Sequence, residues 1–184
     1  MRCVVAVAAL AVLLGPGPAV AHDPPKSLRD AIAALGDMRL ARGKDIDRDA
    51  CRHYAAPSWI AVSGDFDGDG RVDWALYVVS ARPSGRIVDR GKTTDAYDFR
   101  FVFALARPGD RYELVTAREA HTVLPLPHYL VVHPPGVVRE VDGGSGARVV
   151  LRHRGVTELY CGQAASTYFW DPAQRTFRSI VTGD

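Results

Sequence analysis

Beyond residue 59 the chain alternates apolar and polar positions with the two-residue period of strands, a pattern almost absent before that point. The earlier periodic stretch is helical. Leu28, Ala31, Ile32 and Leu35 recur at the three- and four-residue spacing of one helix face. Ser27 stands where an N-cap is expected, and Asp30, three residues on, is its capping-box partner. Gly36 either ends this helix or is tolerated inside it. The polar run "GKDIDRD" reads as a loop, after which Asp47 is a candidate cap for a second short helix through Tyr54, stopped by Pro57.

Residues 59–63 predict a short strand. Residues 72–80, "VDWALYVVS", are apolar on both alternating faces beyond Asp73, the pattern of a central strand covered on both sides. Residues 99–106 alternate through Phe99, Phe101 and Phe103, "RPGDR" is a turn, and residues 112–117 return as the hairpin partner. Further strands are expected at 129–132 and 137–141, flanking "HPPG", and at 147–152 after the turn "DGGSG". Residues 157–160, 166–170 and 176–181 complete the set, the last two joined by "DPAQR". Residues 82–94, "RPSGRIVDRGKTT", read as an exposed loop. One or two helices followed by about ten short strands predict an α+β fold dominated by antiparallel sheet.

The N-terminus changes the frame of this reading. Arg2, the apolar residues 4–14 and a small-x-small ending at Ala19-Val20-Ala21 form a signal-peptide pattern over residues 1–21. Its apolar run is too short to span a bilayer. Cleavage before His22 leaves residues 22–184 as one α+β domain, expected in the periplasm or secreted. Removing Arg2 leaves 22 Lys and Arg against 21 Asp and Glu. That balance argues against a dedicated nucleic-acid binder. Cys3 departs with the signal, and an oxidising compartment favours a Cys51–Cys161 disulfide over two separate buried thiols.

The candidate chemistry is concentrated in residues 64–73, "GDFDGDGRVD". Asp65, Asp67, Asp69, Arg71 and Asp73 fall at positions 1, 3, 5, 7 and 9 of a calcium loop. Carboxylates two apart in a tight turn can converge on one hard cation, which takes six to eight oxygens. The Arg71 carbonyl would serve at position 7, Gly70 allows the sharp turn, and Val72 would pin the loop to the core. Position 12 is Leu76 where an EF-hand carries a bidentate Glu, and strands flank the loop on both sides. This is the reading of a structural Ca2+ site and not of a helix-opening sensor.

The stretch "VSGDFDGDGRVDWALYVV" resembles the calcium loop of FG-GAP/VCBS-type repeats, of the form D-x-D-G-D-G-x-x-D. The resemblance covers about 20 residues and implies calcium on Asp65, Asp67, Asp69 and Asp73 with the Arg71 carbonyl. It does not imply a propeller, because the chain has one such loop and no repeat. The remainder is similar to small exported bacterial proteins of unknown function that carry one such loop, "HPPG" and a C-terminal "YFWD" hairpin.

Other candidate groups are weaker. His128 and His133 are expected on opposite faces, His121 and His153 have no partner nearby in sequence, and His53 lies beside Cys51. Ser145 in "GGSG" reads as a turn, and Asp95 and Asp98 lack supporting context. Tyr160, Tyr168, Phe169, Trp170 and Phe177 read as core, with any outward members a candidate partner face. No catalytic set emerges. The expectation is a monomeric calcium-binding domain with a binding or structural role toward an envelope protein or glycan. A hydrolase-like enzyme with dispersed residues, and an inhibitor or accessory protein of an envelope enzyme, are the alternatives.

Overall fold

A computed structural model describes residues 23–53, 60–89, 91–141 and 146–183. The expected signal peptide, Tyr54, Pro57, Trp59 and Ser145 lie outside these residues. One α-helix, α1 (Lys26–Ala33), is followed by a single 3-10 turn (Gly43–Asp45) and twelve strands. The strands are β1 (Met38–Leu40), β2 (Ala61–Gly64), β3 (Asp73–Ser80), β4 (Gly85–Asp89), β5 (Lys92–Arg107), β6 (Arg111–Thr122), β7 (His128–His133), β8 (Gly136–Arg139), β9 (Arg148–Leu151), β10 (Gly155–Tyr160), β11 (Ala164–Asp171) and β12 (Thr176–Gly183).

All named strand pairs are antiparallel. The larger sheet is built on β3 and β5, with β1 and β2 sharing one edge of β3 and β6 on the far side of β5. The second sheet runs β12-β11-β10-β7, and β8 with β9 forms a separate hairpin. No sheet among the described residues closes into a barrel, and the arrangement is mostly β with a little helix, not a propeller.

The central strand is β3, as its double-faced apolar pattern predicts, and all eight of its residues are buried. Leu28 and Ile32 of α1 cover one face, against Trp74, Leu76 and Val78 with Val102 and Ala104 of β5. The other face presents Tyr77, Phe99, Phe101 and Phe103 to Leu130, Val156, Tyr168 and Phe177 of the second sheet. Phe103 and Phe177 stack with centroids 3.5 Å apart. At about 25 cal/mol per Å² of apolar surface, these two contact layers are the main stabilising term.

Several expectations about local structure are corrected. Pro25, not Ser27, is the N-cap: its extended backbone and fixed φ lead directly into the helix, and its carbonyl accepts from Leu28 and Arg29. Asp30 is therefore not a capping-box residue, and it pairs with Lys26 across one helical turn at 2.6 Å. The helix stops at Ala33, before Gly36, and Leu35 is exposed. Among the described residues no α-helix follows Asp47. Its carboxylate accepts from Ala50, and two three-residue turns run to His53. Within the segment 82–94 read as a loop, β4 pairs with the start of β5, from Gly85↔Ala96 to Asp89↔Lys92. Its glycines and charges concealed a strand whose apolar content is only Ile87 and Val88, the latter exposed.

The N-terminal segment straps the larger sheet to the second. Asp45 is buried and takes a bidentate pair from Arg39 at 2.6 and 3.0 Å. Backbone bonds join Asp45 and Asp47 to Leu126, and the Cys51–Cys161 disulfide ties the strap to the end of β10, with Cα atoms 5.3 Å apart. The bridge closes a 110-residue separation. Replacing both cysteines with serine is expected to lower stability by about 4–5 kcal/mol in the chain-entropy account. Urea unfolding checks this. A loss below about 1 kcal/mol would show that the denatured chain is already held together by other means.

Candidate functional site

The aspartate loop connects β2 to β3 within one hairpin, so strands flank it on both sides. Its anchor is Asp73, the first residue of β3, which is fully buried. Oδ2 accepts from the Phe66 amide at 2.9 Å and from the Asp67 amide at 3.4 Å, while Oδ1 accepts from the Ala106 amide of β5 at 2.8 Å. One carboxylate thus fixes the loop's start, its own strand and the end of β5. Burial pushes the Asp73 carboxyl up to about 6 despite the bonds from Ala106 and Phe66, and the Asp67 charge adds to that rise. A cation beside it would favour the ionised form again.

The loop turns around Asp65. Its oxygens accept from the amides of Gly68 at 2.8 Å and Gly70 at 3.1 Å. Phe66 goes inward, fully buried and edge-on to Phe103. Val72, expected to pin the loop, is 60 % exposed, so Phe66 takes that role. Val72 precedes β3 on the face that Trp74, Leu76 and Val78 turn toward α1, and it is left uncovered there while Trp74 is buried.

Carboxylate oxygens of Asp65, Asp67 and Asp73 all lie within 4.8 Å of one another. Two oxygens on one calcium ion can be no farther apart than twice the metal–oxygen distance, about 4.6–5.2 Å. The donor set therefore fits a hard divalent cation. Asp69 and Arg71 stand outside this group. Asp69 accepts from the Arg71 amide at 2.9 Å, and the Arg71 side chain leans 3.4 Å from its other oxygen. Arg107 at the end of β5 reaches Asp67 at 2.9 Å and Asp69 at 3.4 Å while also pairing with Glu113 at 2.9 Å. Sequence reasoning missed this guanidinium, which lies 40 positions from Asp67 and is brought in only by the β3–β5 pairing.

A second polar cluster was also missed. Glu158 of β10 is buried between the sheets and receives Arg118 of β6 at 2.6 Å, His128 of β7 at 3.2 Å and the Tyr168 hydroxyl at 3.2 Å. Burial alone would raise the Glu158 carboxyl. The His128 hydrogen bond and the Arg118 charge outweigh it and hold the group below its ordinary value. His128 is buried and His133 only half-buried, consistent with their expected opposite faces. Each of the four residues sits on a different strand, so no sequence spacing could signal them. A third cluster joins Ser84, His121 and Asp98. Both Ser84 and Asp98 meet the same ring nitrogen, Nδ1, at 3.3 and 3.1 Å. A nucleophile relay needs the two opposite nitrogens, so this is not a catalytic triad.

Comparison with protein-family models, with curated proteins and with solved structures returned no match.

Two measurements test these contacts. Gly70 (φ 85°) has open space around its Cβ direction, whereas a Cβ on Gly68 (φ 83°) would run into the His153 ring. Gly70→Ala is expected to cost about 1 kcal/mol of backbone strain. Gly68→Ala should cost more, with part of the difference restored by His153→Ala, all read by chemical denaturation. A folded-state carboxyl held low contributes stability above the unfolded value and loses it as pH falls through the folded one. Glu158→Gln should therefore cost about 1.5–3 kcal/mol at neutral pH. Its deficit relative to the parent should shrink as pH falls below the ordinary carboxylate range. A pH-independent deficit would contradict the assignment of Glu158 as a buried ion-pair member.

Proposed function

We propose that residues 65–73 hold a calcium ion in a structural site, within an exported domain that serves as a binding module of the cell envelope. The observation that carries the cation reading is the convergence of the Asp65, Asp67 and Asp73 carboxylates within 4.8 Å on a short loop. Four aspartates lie in nine residues, and Arg107 and Arg71 meet Asp67 and Asp69. A divalent ion at Asp65, Asp67 and Asp73 would offset the remaining repulsion. The Asp69 carboxylate and the Arg71 carbonyl are further ligands in this reading.

Calcium rather than magnesium follows from the donor count. Magnesium keeps several waters and takes one or two carboxylates, whereas calcium accepts crowded, flexible oxygen sets. The role is structural because the loop sits at the start of the central strand, with Asp73 already bonded on both oxygens to backbone amides. Export to the periplasm or exterior rests on the N-terminal signal pattern, and the disulfide agrees with an oxidising compartment. No helix of the described residues is long and apolar enough to cross a membrane. The partner in this reading is an envelope protein or glycan.

Thermal unfolding in EGTA, then with calcium or magnesium added back, tests the proposal. A ligand that binds only the folded state at a hundredfold excess over its Kd stabilises by about 2.7 kcal/mol. Calcium is expected to raise the midpoint, magnesium to do less, and Asp65→Asn plus Asp67→Asn to abolish the response. Equal midpoints in EGTA and calcium would refute the site.

A further inference from the structure

The Arg118–Glu158–His128 cluster opens on a cleft of about 750 Å³ between the edge of β6, the 123–127 connection and the second sheet. The cleft is remote from the aspartate loop. Phe99 lines it, while Ala106 meets Asp73, and the seven strand steps of β5 from one to the other span about 23 Å. Its volume falls within the roughly 300–1,000 Å³ of small-molecule sites.

The chemistry of the walls restricts what can enter. Glu158 already accepts three donors, so little of its lone-pair capacity is open to a cationic ligand. The Arg118 charge is matched by Glu158 at 2.6 Å, and Asp47 adds a negative group to the lining, so an organic anion finds no net attraction. A wholly apolar ligand would cover polar groups without replacing their water. Arg118 Nε is already buried without a partner. Among the described residues, His128 Nε2 and the hydroxyls of Tyr160 and Ser166 are not hydrogen-bonded either. Desolvating these further is unfavourable.

A neutral ligand whose groups both donate and accept satisfies every wall. We propose that the cleft binds a short neutral saccharide, with hydroxyls against Arg118, His128, Tyr160 and Ser166 and its C–H faces against the Leu124–Pro125 wall and the Tyr160 ring. His128 Nδ1 faces both Glu158 and the Arg118 guanidinium at 3.2 Å, which leaves Nε2 open to exchange a hydrogen bond with a sugar hydroxyl, and the Arg118 guanidinium supplies a further donor. Glu158, His128 and Tyr168, each at least nine-tenths buried, hold those groups in place.

The test is titration of the disulfide-intact protein with cellobiose, maltose and N,N′-diacetylchitobiose up to about 10 mM, followed by calorimetry and by amide NMR shifts. The expected result is saturable binding of at least one disaccharide, with shifts confined to residues 118–128 and 158–168. Tyr160→Phe and Ser166→Ala should each weaken it about tenfold, the worth of one hydrogen bond, with melting temperature unchanged. Acetate and inorganic phosphate form the anion arm. The proposal is overturned if no disaccharide binds, if binding survives both substitutions, or if the anions bind at these residues in place of the sugars. Repeating the titration in EGTA keeps the outcome separate from that of the cation site.

Discussion

The rest of the structure depends on one buried carboxylate, that of Asp73. It carries the first residue of the strand around which both layers are assembled, and it has no exposure to water. A buried carboxylate is tolerated only when its oxygens are hydrogen-bonded, and here the donors are three backbone amides from two places in the chain, the loop at Phe66 and Asp67 and the end of β5 at Ala106. That arrangement leaves the aspartate loop little choice of path. Phe66 turns inward, Asp65 receives the amides of Gly68 and Gly70, and a carboxylate oxygen of Asp67 comes within 4.8 Å of those of Asp65 and Asp73. The acidic cluster is thus a consequence of how the strand begins.

Asymmetry between the two ends of the molecule follows. At the loop end, the carboxylates face each other and Arg107, and the Phe66–Phe103 contact seals the space beneath them. At the other end the polar residues between the sheets, Glu158, His128 and Arg118, line a cleft together with the 123–127 connection. The strap of residues 38–53, held by Arg39–Asp45 and the disulfide, keeps that connection in place through the Asp45–Leu126–Asp47 backbone bonds.

Much of this was legible from the sequence because its signals are local. The double-faced apolar run of β3, the alternation of Phe99, Phe101 and Phe103, and the aspartate spacing each lie within a dozen residues, and the first two report the burial their residues adopt. The strand-loop-strand setting of residues 65–73 follows from the same patterns. What escaped was either edge structure or convergence. β4 carries few apolar residues because it lies at a sheet edge, so its composition resembles a loop. Ser27 looks like a cap, but Pro25 preceded it with a geometry already suited to start the helix. Val72 was apolar without being buried: it shares a face with Trp74, but the buried strand begins only at Asp73. Arg107 reaches Asp67 through the pairing of β3 with β5, and Arg118 and His128 reach Glu158 through strand pairing and sheet packing, which leave no trace in spacing along one chain.

The central claim is that a cation on the loop and the buried bonds of Asp73 form one cooperative unit at the start of the central strand. Amide hydrogen exchange at Phe66 and Ala106, the two closest donors to Asp73, measures it most directly. With calcium present, both amides should slow together relative to EGTA and by the same factor, while amides lining the cleft at the other end change less. Exchange at Phe66 and Ala106 that is indifferent to calcium, or that responds at only one of the two, would contradict the account.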